Sequence, residues 1–436
     1  MIDETQKPSI VPTFGSLPTT PLSADAVPAL LAALGRHLLL KQFAKIKEGE
    51  LNIVEWDGTR HRFGASTARL DVSVALQIDH PQLYADAAFG GTVGAGEAYI
   101  RGLWRCDDLT GLVRIFVANR NLMNGMDSRW ALVSRPLLKV FHFFNRNSKT
   151  GSARNISAHY DLGNALYELM LDPTMAYSCG IYEKEQSTLE QASIAKFEAV
   201  CRKLHLTPND RVVEIGTGWG GLAIHAAAKY GCHITTTTIS REQYDYVKEK
   251  VARAALSDRI TLLLEDYRDV KGRFDKAFSI EMIEAVGADY LDTYLAKCSS
   301  LLASHGAMLL QAITIQDQFY DKARRSVDYI QRFVFPGSFI PSVEAISRSL
   351  TRTTDFKIFN LEDIGPHYAH TLREWRRNFF EHLPKVRALG YPDSFVRLWE
   401  FYLCYCEGGF AERQLGDVQL LLTKPGCRLP PVAHAR

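Results

Sequence analysis

Short apolar runs alternate with amphipathic stretches from about residue 185 to residue 313. The runs that predict strands are residues 211–215, 233–238, 259–264, 274–280 and 307–313. Helical spacing separates them, as in residues 187–204 and 289–303. Strands that alternate with helices are typical of a parallel sheet covered by helices on both faces. We therefore expect an α/β fold with a doubly wound, Rossmann-like sheet.

The beginning of the chain has a different pattern. Residues 1–23 are rich in Pro, Thr and Ser and predict a loose tail, after which Ser23 can cap a helix that runs to about residue 47. Two β-like runs flank Asp57-Gly58, a strong hairpin signal, and residues 70–78 alternate like another strand. These features predict a smaller α+β domain.

Residues 108–147 have a helical pattern, and residues 130–147 mix large apolar side chains with arginines and lysine. This mixture is typical of a helix at a membrane surface, and equally of a helix packed between domains. Residues 147–154 are the best linker candidate. We predict an N-terminal domain over residues 1–148, which could serve docking or dimerisation, and a catalytic domain over residues 149–436.

Composition argues against several classes of function. The 436 residues carry 51 basic and 49 acidic side chains, and this near balance argues against bulk nucleic-acid binding. The cysteines are scattered without metal-ligand spacing, so we expect free thiols and no metal site. The first residues lack the apolar core of a signal peptide, and no early apolar stretch is long enough to cross a bilayer. A soluble or peripheral cytoplasmic protein is expected.

A glycine-rich segment follows the run at residues 211–215. Gly216-x-Gly218-x-x-Gly221 at a strand-to-helix turn lets a ligand approach the backbone, but alone it also fits a dinucleotide site. Glu214 precedes the first glycine by two residues, as in methyltransferases. The next strand ends without the acidic residue that a nicotinamide cofactor requires, and offers three ribose-binding candidates instead: Thr238, Ser240 and Gln243.

The run at residues 259–264 is followed by Asp266 and Tyr267. The carboxyl edge of such a sheet is where ligands bind. These two residues are therefore candidates for contact with an adenine ring, and a solvated acidic loop is the alternative.

Several motifs, in order, resemble those of cyclopropane fatty acid synthases over about residues 155–425. They are His159-Tyr160-Asp161-Leu162-Gly163-Asn164, Tyr177-Ser178-Cys179, Ile215-Gly216-x-Gly218-Trp219-Gly220-Gly221, Thr238-Ile239-Ser240 with Gln243, Asp266-Tyr267-Arg268-Asp269, Ile283-Glu284-Ala285-Val286-Gly287, Phe335-Pro336-Gly337 and Cys406-Glu407-Gly408-Gly409-Phe410. A weaker resemblance extends into the first domain through Gly96-Glu97-Ala98-Tyr99 and Gly102-x-Trp104.

The resemblance implies an enzyme that transfers a methyl group from S-adenosylmethionine to the cis double bond of a phospholipid acyl chain and then removes a proton to close a ring. It implies a bound bicarbonate as the base, held by Cys179, Glu284, the backbone of Ile313, and Tyr368. It also implies a cofactor site at the glycine loop. Its members are Tyr177, Ser178, Glu214, Gly216, Gly218, Trp219, Gly220, Thr238, Ser240, Gln243, Asp266 and Tyr267.

Elementary chemistry is consistent with this assignment. An alkene is a weak nucleophile, so water must be excluded and the chain aligned with the methyl donor. The cation that forms is best surrounded by aromatic faces and a weak anion. On this view Cys179 donates a hydrogen bond and does not attack. The alternatives are an ordinary buried thiol for Cys179, a core phenol for Tyr368 and a solvated carboxylate for Glu284.

The sequence departs from the family at Gln311, where members carry a bicarbonate-contacting histidine, and also at Ala285 and Thr217. A glutamine amide donates a hydrogen bond but does not relay a proton. We hypothesise that Gln311 shifts the product from a cyclopropane to a methylene- or methyl-branched chain.

Residues 315–350 and 367–389 combine aromatic and basic side chains. They are candidates for receiving an acyl tail and its phosphate at the inner face of the membrane, or for packing as helical caps on the core. Two other functions remain open. One is methylation of a small polar molecule or RNA, and the other is non-catalytic lipid binding.

Overall fold

The computed structural model describes residues 29–120 and 162–432. Several predicted features lie outside them: the tail and its helix cap before residue 29, the amphipathic segment 130–147, the linker 147–154, the boundary after residue 148, and the first half of the motif that begins at His159. Contacts divide the chain into two compact units, Met1–Met126 and Asp127–Arg436.

The first unit contains the predicted α+β elements. Its sheet has the order β2-β1-β3-β4. Its elements are α1 (Ala29–Phe43), β1 (Gly49–Val54), β2 (Arg60–Ala65), β3 (Ser73–Ile78), α2 (Gln82–Ile100), β4 (Trp104–Cys106) and α3 (Leu109–Ala118).

The hairpin predicted at Asp57-Gly58 is present, because β1 and β2 pair antiparallel around it and Gly58 has a φ of +87°. Strand β3, predicted over residues 70–78, begins at Ser73 and pairs parallel with β1. Buried Glu55, directly after β1, accepts hydrogen bonds from Arg36 at 2.9 Å and from the Tyr84 hydroxyl at 2.5 Å.

The second unit alternates strands and helices as predicted. Its elements are α4 (Asn164–Met170), α5 (Leu189–Leu204), β5 (Arg211–Ile215), α6 (Gly221–Tyr230), β6 (His233–Thr238), α7 (Arg241–Arg253), β7 (Ile260–Leu264), β8 (Phe274–Ile280), α8 (Leu291–Ser300), β9 (Leu302–Ile315), α9 (Asp317–Ala323), α10 (Tyr329–Phe333), α11 (Val343–Thr353), β10 (Lys357–Asp363), α12 (Pro366–Glu381), α13 (Leu383–Ala388), α14 (Asp393–Ala411) and β11 (Leu415–Thr423).

The large sheet has seven strands in the order β10-β11-β9-β8-β5-β6-β7. Strands β7, β6, β5, β8 and β9 are parallel, whereas β11 pairs antiparallel with β9 and β10 with β11. The two antiparallel strands were not predicted. Because the chain order reverses between β5 and β8, a crevice opens at their carboxyl ends, which is where such sheets bind ligands.

Apolar clusters cover both faces of the sheet. Successive residues of a strand point to opposite faces, and Val212 packs in one cluster while Val213 packs in the other. The helix predicted over residues 367–389 is two helices, α12 and α13, because Pro384 stands in the first turn of the second. Among the described residues, no helix is long and apolar enough to span a bilayer.

Candidate active site

The glycine loop joins β5 to α6 in a conformation that only glycine adopts without strain. Gly216, Gly218 and Gly220 have φ values of +95°, +51° and +77°. A side chain on Gly220 would come within 2.9 Å of Val247, whereas one on Gly218 would meet no atom of residues 29–120 and 162–432 within 4 Å. The backbone at Gly218 therefore faces open space beside the start of α6, where a ligand can approach its N–H groups.

Glu214 lies at the end of β5, beneath this loop. It is buried and accepts a hydrogen bond from the Thr236 hydroxyl at 2.5 Å. Burial raises its pKa to about 8, against the smaller opposing effects of Thr236 and Lys196. A carboxyl in this state gains a strong interaction when a cationic ligand group arrives, because the ligand supplies the charge that the site lacks.

Aromatic rings surround the loop. The Trp219 indole donates to the Asn164 side chain at 2.8 Å, and its ring lies 4.7 Å from that of Tyr167. The Tyr177 ring lies 5.0 Å from Trp375, and its hydroxyl is 2.9 Å from that of Tyr402. Aromatic faces of this kind stabilise a sulfonium or a carbocation without reacting with it.

The predicted ribose contacts form a compact polar group at the end of β6. The Thr238 hydroxyl donates to the Gln243 side chain at 2.9 Å, and the Ser240 side chain caps α7 by accepting from the Gln243 backbone at 3.2 Å. Asp266 is held by Arg268 at 2.6 Å, and Tyr267 is buried with its ring 5.4 Å from Tyr294. Contact of these residues with a cofactor stays a prediction.

Three of the residues predicted to act in catalysis converge on a carboxylate that the sequence analysis missed, that of Glu281. Its Oε1 accepts from the Cys179 backbone N–H at 2.8 Å and from the Gln311 side-chain amide at 2.7 Å. Its Oε2 accepts from the Tyr368 hydroxyl at 2.5 Å. Glu281 has a φ of +48°, is half-buried, and directly follows β8 at the ligand edge of the sheet.

The other two predicted residues pair with each other. Glu284 Oε1 accepts from the Ile313 backbone N–H at 2.5 Å, and its buried Oε2 has no hydrogen-bond partner among the residues that the structure describes. Burial, and then repulsion by Glu281, raise the pKa of Glu284 to about 8.

Asp417 on β11 is a second residue that the sequence analysis missed. It is fully buried, and its Oδ2 accepts from the Gln311 amide at 2.9 Å. Burial and the neighbouring charge of Glu281 hold the pKa of Asp417 well above its ordinary value. Burial raises the pKa of Glu281 as well, but less than that of Asp417, so Asp417 is the carboxyl group of the pair that holds a proton more strongly. The sequence feature that could have revealed Asp417 is an acidic residue within the otherwise apolar run 415–423, because a buried polar group needs a hydrogen-bond partner.

Lys196 on α5 supplies a positive charge. Its side chain is buried and donates to the Ser178 hydroxyl at 2.7 Å. Its charge interacts with the carboxyl groups of Glu281, Asp417 and Glu214. Desolvation lowers the pKa of Lys196.

The thiol of Cys179 is fully buried and donates to the backbone carbonyl oxygens of Gly180 at 3.3 Å and Ile364 at 3.6 Å. Burial raises its pKa well above the ordinary value, followed by the charges of Asp417 and Glu281. The group is therefore a neutral thiol. A neutral thiol is a weak nucleophile, because the thiolate is the reactive form.

Bicarbonate, which the family resemblance implies, does not fit this arrangement. The Gln311 amide and the Tyr368 hydroxyl are already bonded to Glu281, and the Ile313 N–H is bonded to Glu284. Another anion would also add negative charge directly beside Glu281, the carboxylate to which Gln311 and Tyr368 donate.

The model of the mycolic acid cyclopropane synthetase family matches residues 147–420. This range is more than half of the chain. The protein belongs to this family. The family and the fold that were predicted from the sequence are confirmed. The protein is an S-adenosylmethionine-dependent transferase.

This family member is 34% identical over 424 residues to the tuberculostearic acid methyltransferase of Mycobacterium tuberculosis, with 95% of each chain covered. It is 34% identical to the cyclopropane-fatty-acyl-phospholipid synthase of Escherichia coli over 79% of this chain and 86% of that one. The solved cyclopropane synthase MmaA2 of Mycobacterium tuberculosis superposes with a TM-score of 0.58 at 28% identity, over 62% of this chain and 98% of that one.

Proposed function

We propose that the protein transfers a methyl group from S-adenosylmethionine to the cis double bond of an unsaturated phospholipid acyl chain, and that Glu281 is the base that removes a proton from the product cation. One observation carries the proposal. The backbone of Cys179 and the side chains of Gln311 and Tyr368 all donate to the Glu281 carboxylate.

S-adenosylmethionine supplies an electrophilic methyl group on a sulfonium. The glycine loop suits it, because Gly218 faces open space and buried Glu214 favours a cationic partner such as the ammonium of a methionine. We propose that the remaining predicted cofactor residues act here as well, with the Tyr177 and Trp219 rings beside the charged sulfur and with Thr238, Ser240 and Gln243 near the ribose.

The chain's own residues protect the cation that methyl transfer creates on the acyl chain. The Tyr368 ring lies 4.4 Å from Phe410 and 6.0 Å from Trp375, so aromatic faces border the base. The neutral thiol of Cys179 does not trap the cation. The proton leaves from the transferred methyl group to Glu281, and the electron pair of that C–H bond closes the cyclopropane ring.

A methylene-branched product is the second candidate. If a hydride shifts along the chain before the same proton is removed, the electron pair forms a double bond to the transferred carbon instead of a ring. Gln311, in place of a histidine, and the similarity to a tuberculostearic acid methyltransferase support this candidate. Mass and NMR analysis of lipids from cells that express the protein distinguishes the two, and a purely cyclopropane product excludes the branched one.

The test of the base uses purified protein, methyl-labelled S-adenosylmethionine and vesicles of unsaturated phospholipid. Glu281→Gln keeps the size of the side chain and removes the base, so we expect kcat to fall at least about 100-fold. Glu249→Gln, at an exposed position on α7, is the matched control and keeps wild-type turnover. Turnover of Glu281→Gln above half of wild type contradicts the role of Glu281. Label found only in soluble acceptors contradicts the lipid substrate.

We also propose that the protein works in the cytoplasm at the inner face of the membrane. Helix α12 offers Arg373 and Arg377, each more than half exposed, as contacts for lipid phosphates. Sedimentation with anionic and with neutral vesicles tests this, and equal binding to both contradicts it. Dimerisation through the first unit stays a prediction, for which analytical ultracentrifugation is the measurement.

A further inference from the structure

A chain of hydrogen bonds leads from Glu281 toward the surface through Gln311 and then through two side chains that the reaction does not use directly. Gln311 Oε1 accepts from the Gln419 side-chain amide at 3.0 Å, and Gln419 Oε1 accepts from Lys203 Nζ at 2.6 Å. Both glutamines are fully buried, and they face each other across the β9–β11 pair. We call Lys203, Gln419 and Gln311 the polar ladder.

The direction of every bond in the polar ladder follows from Lys203. An ammonium has donors and no acceptor, so Gln419 must turn its oxygen toward Lys203 and its NH₂ group toward Gln311. The oxygen of Gln311 is then occupied, and its NH₂ group points at the carboxyl groups of Glu281 and Asp417.

The orientation of Gln311 matters because Asp417 holds a proton more strongly than Glu281 does. Without the polar ladder, the Gln311 amide could flip and turn its oxygen toward Asp417 and Glu281. Glu281 would then lose a hydrogen-bond donor and lie next to a lone pair of the amide oxygen. A donor stabilises the ionised form of a carboxyl group, and a lone pair destabilises it. Resting on the base role proposed above, we infer that Lys203 and Gln419 are positioning residues that hold Gln311 as a hydrogen-bond donor to Glu281.

Gln419→Glu is the sharpest test. A carboxylate at this position still accepts from Lys203 but has no donor for Gln311 Oε1, so the Gln311 amide is expected to flip. The acidic limb of the kcat–pH profile then moves up by about one unit, which is about a tenfold loss of kcat below that limb and recovery at high pH. KM for S-adenosylmethionine stays within about twofold of wild type, because the glycine loop is untouched.

Two further variants separate positioning from packing. Gln419→Met removes the donor without adding charge, and we expect a smaller upward shift of the same limb. It carries the test if Gln419→Glu does not fold. Glu362→Gln is the matched control, because Glu362 lies opposite Gln419 on β10 and contacts Lys203 from the surface, where it is 54% exposed. The amide oxygen of the new side chain can still accept from Lys203, so the polar ladder is kept. The profile of Glu362→Gln should coincide with wild type.

The native groups that face Glu281 are kept in all of these variants. They are Lys196 on α5, Tyr368 on α12, Tyr402 on α14, Asp417 on β11, Cys179 in a loop and Glu284 in a short 3-10 helix. The new carboxylate of Gln419→Glu also raises the pKa of Glu281 by its own charge. An upward shift that Gln419→Met shows as well therefore reports on Gln311. A Gln419→Glu or Gln419→Met profile that coincides with wild type, or that falls equally at every pH, overturns the inference. If the base proposal itself is wrong, Glu281→Gln retains turnover, which is a separate result.

Discussion

The pH dependence of stability should change when Glu284 is replaced by glutamine. In the folded protein the pKa of this carboxyl is about 8, because burial and the charge of Glu281 oppose ionisation. In the unfolded chain the value is the ordinary 4.5. Between these two values the folded state binds a proton that the unfolded state lacks, so the free energy of unfolding falls as pH rises.

The size of the effect follows from the shift. Each pH unit in this window is worth about 1.4 kcal/mol for a single group. Between pH 5.5 and pH 7.5 the wild type therefore loses about 2.7 kcal/mol through Glu284. Glutamine does not titrate. The free energy of unfolding of Glu284→Gln minus that of wild type should therefore rise by roughly this amount between the two pH values. The size of this difference at pH 5.5 does not affect the expected rise.

Urea unfolding followed by tryptophan fluorescence at the two pH values measures the difference. Glu344→Gln, at an exposed position on α11, is the control and should shift both curves equally. A Glu284→Gln difference that is the same at pH 5.5 and at pH 7.5 refutes the reasoning, because it means that Glu284 ionises alike in the folded and unfolded states.

Three more outcomes are expected. Glu214→Gln should weaken S-adenosylmethionine binding by about tenfold in calorimetry, with lipid binding unchanged, because a neutral amide does not attract the ligand's cation. Removal of bicarbonate from the buffer should leave kcat within about twofold, since Glu281 fills that role, and bicarbonate-dependent activity would contradict this. Cys179→Ser should keep more than about a third of kcat, as a hydroxyl also donates to the Gly180 carbonyl, and complete loss would point to chemistry at the sulfur.

The local elements of the second unit were accessible from the sequence. Strands β5, β6 and β8 have the predicted bounds, because buried parallel strands are short apolar runs bounded by turn residues. The glycine loop was also accessible, because its conformation depends on glycines at adjacent positions of the chain. The antiparallel strands β10 and β11 escaped prediction, since neither is joined to its neighbours by the repeating strand–helix pattern.

The sequence by itself determined the fold class, the cofactor loop and the family, since each depends on local periodicity or contiguous motifs. Only the tertiary structure decided what the predicted residues do. Cys179 and Glu281 are 102 positions apart, and Gln311 and Asp417 are 106 apart. The physical reason is that hydrogen bonding and charge repulsion act through space, so the partners of a buried carboxyl group depend on which strands become neighbours in the sheet.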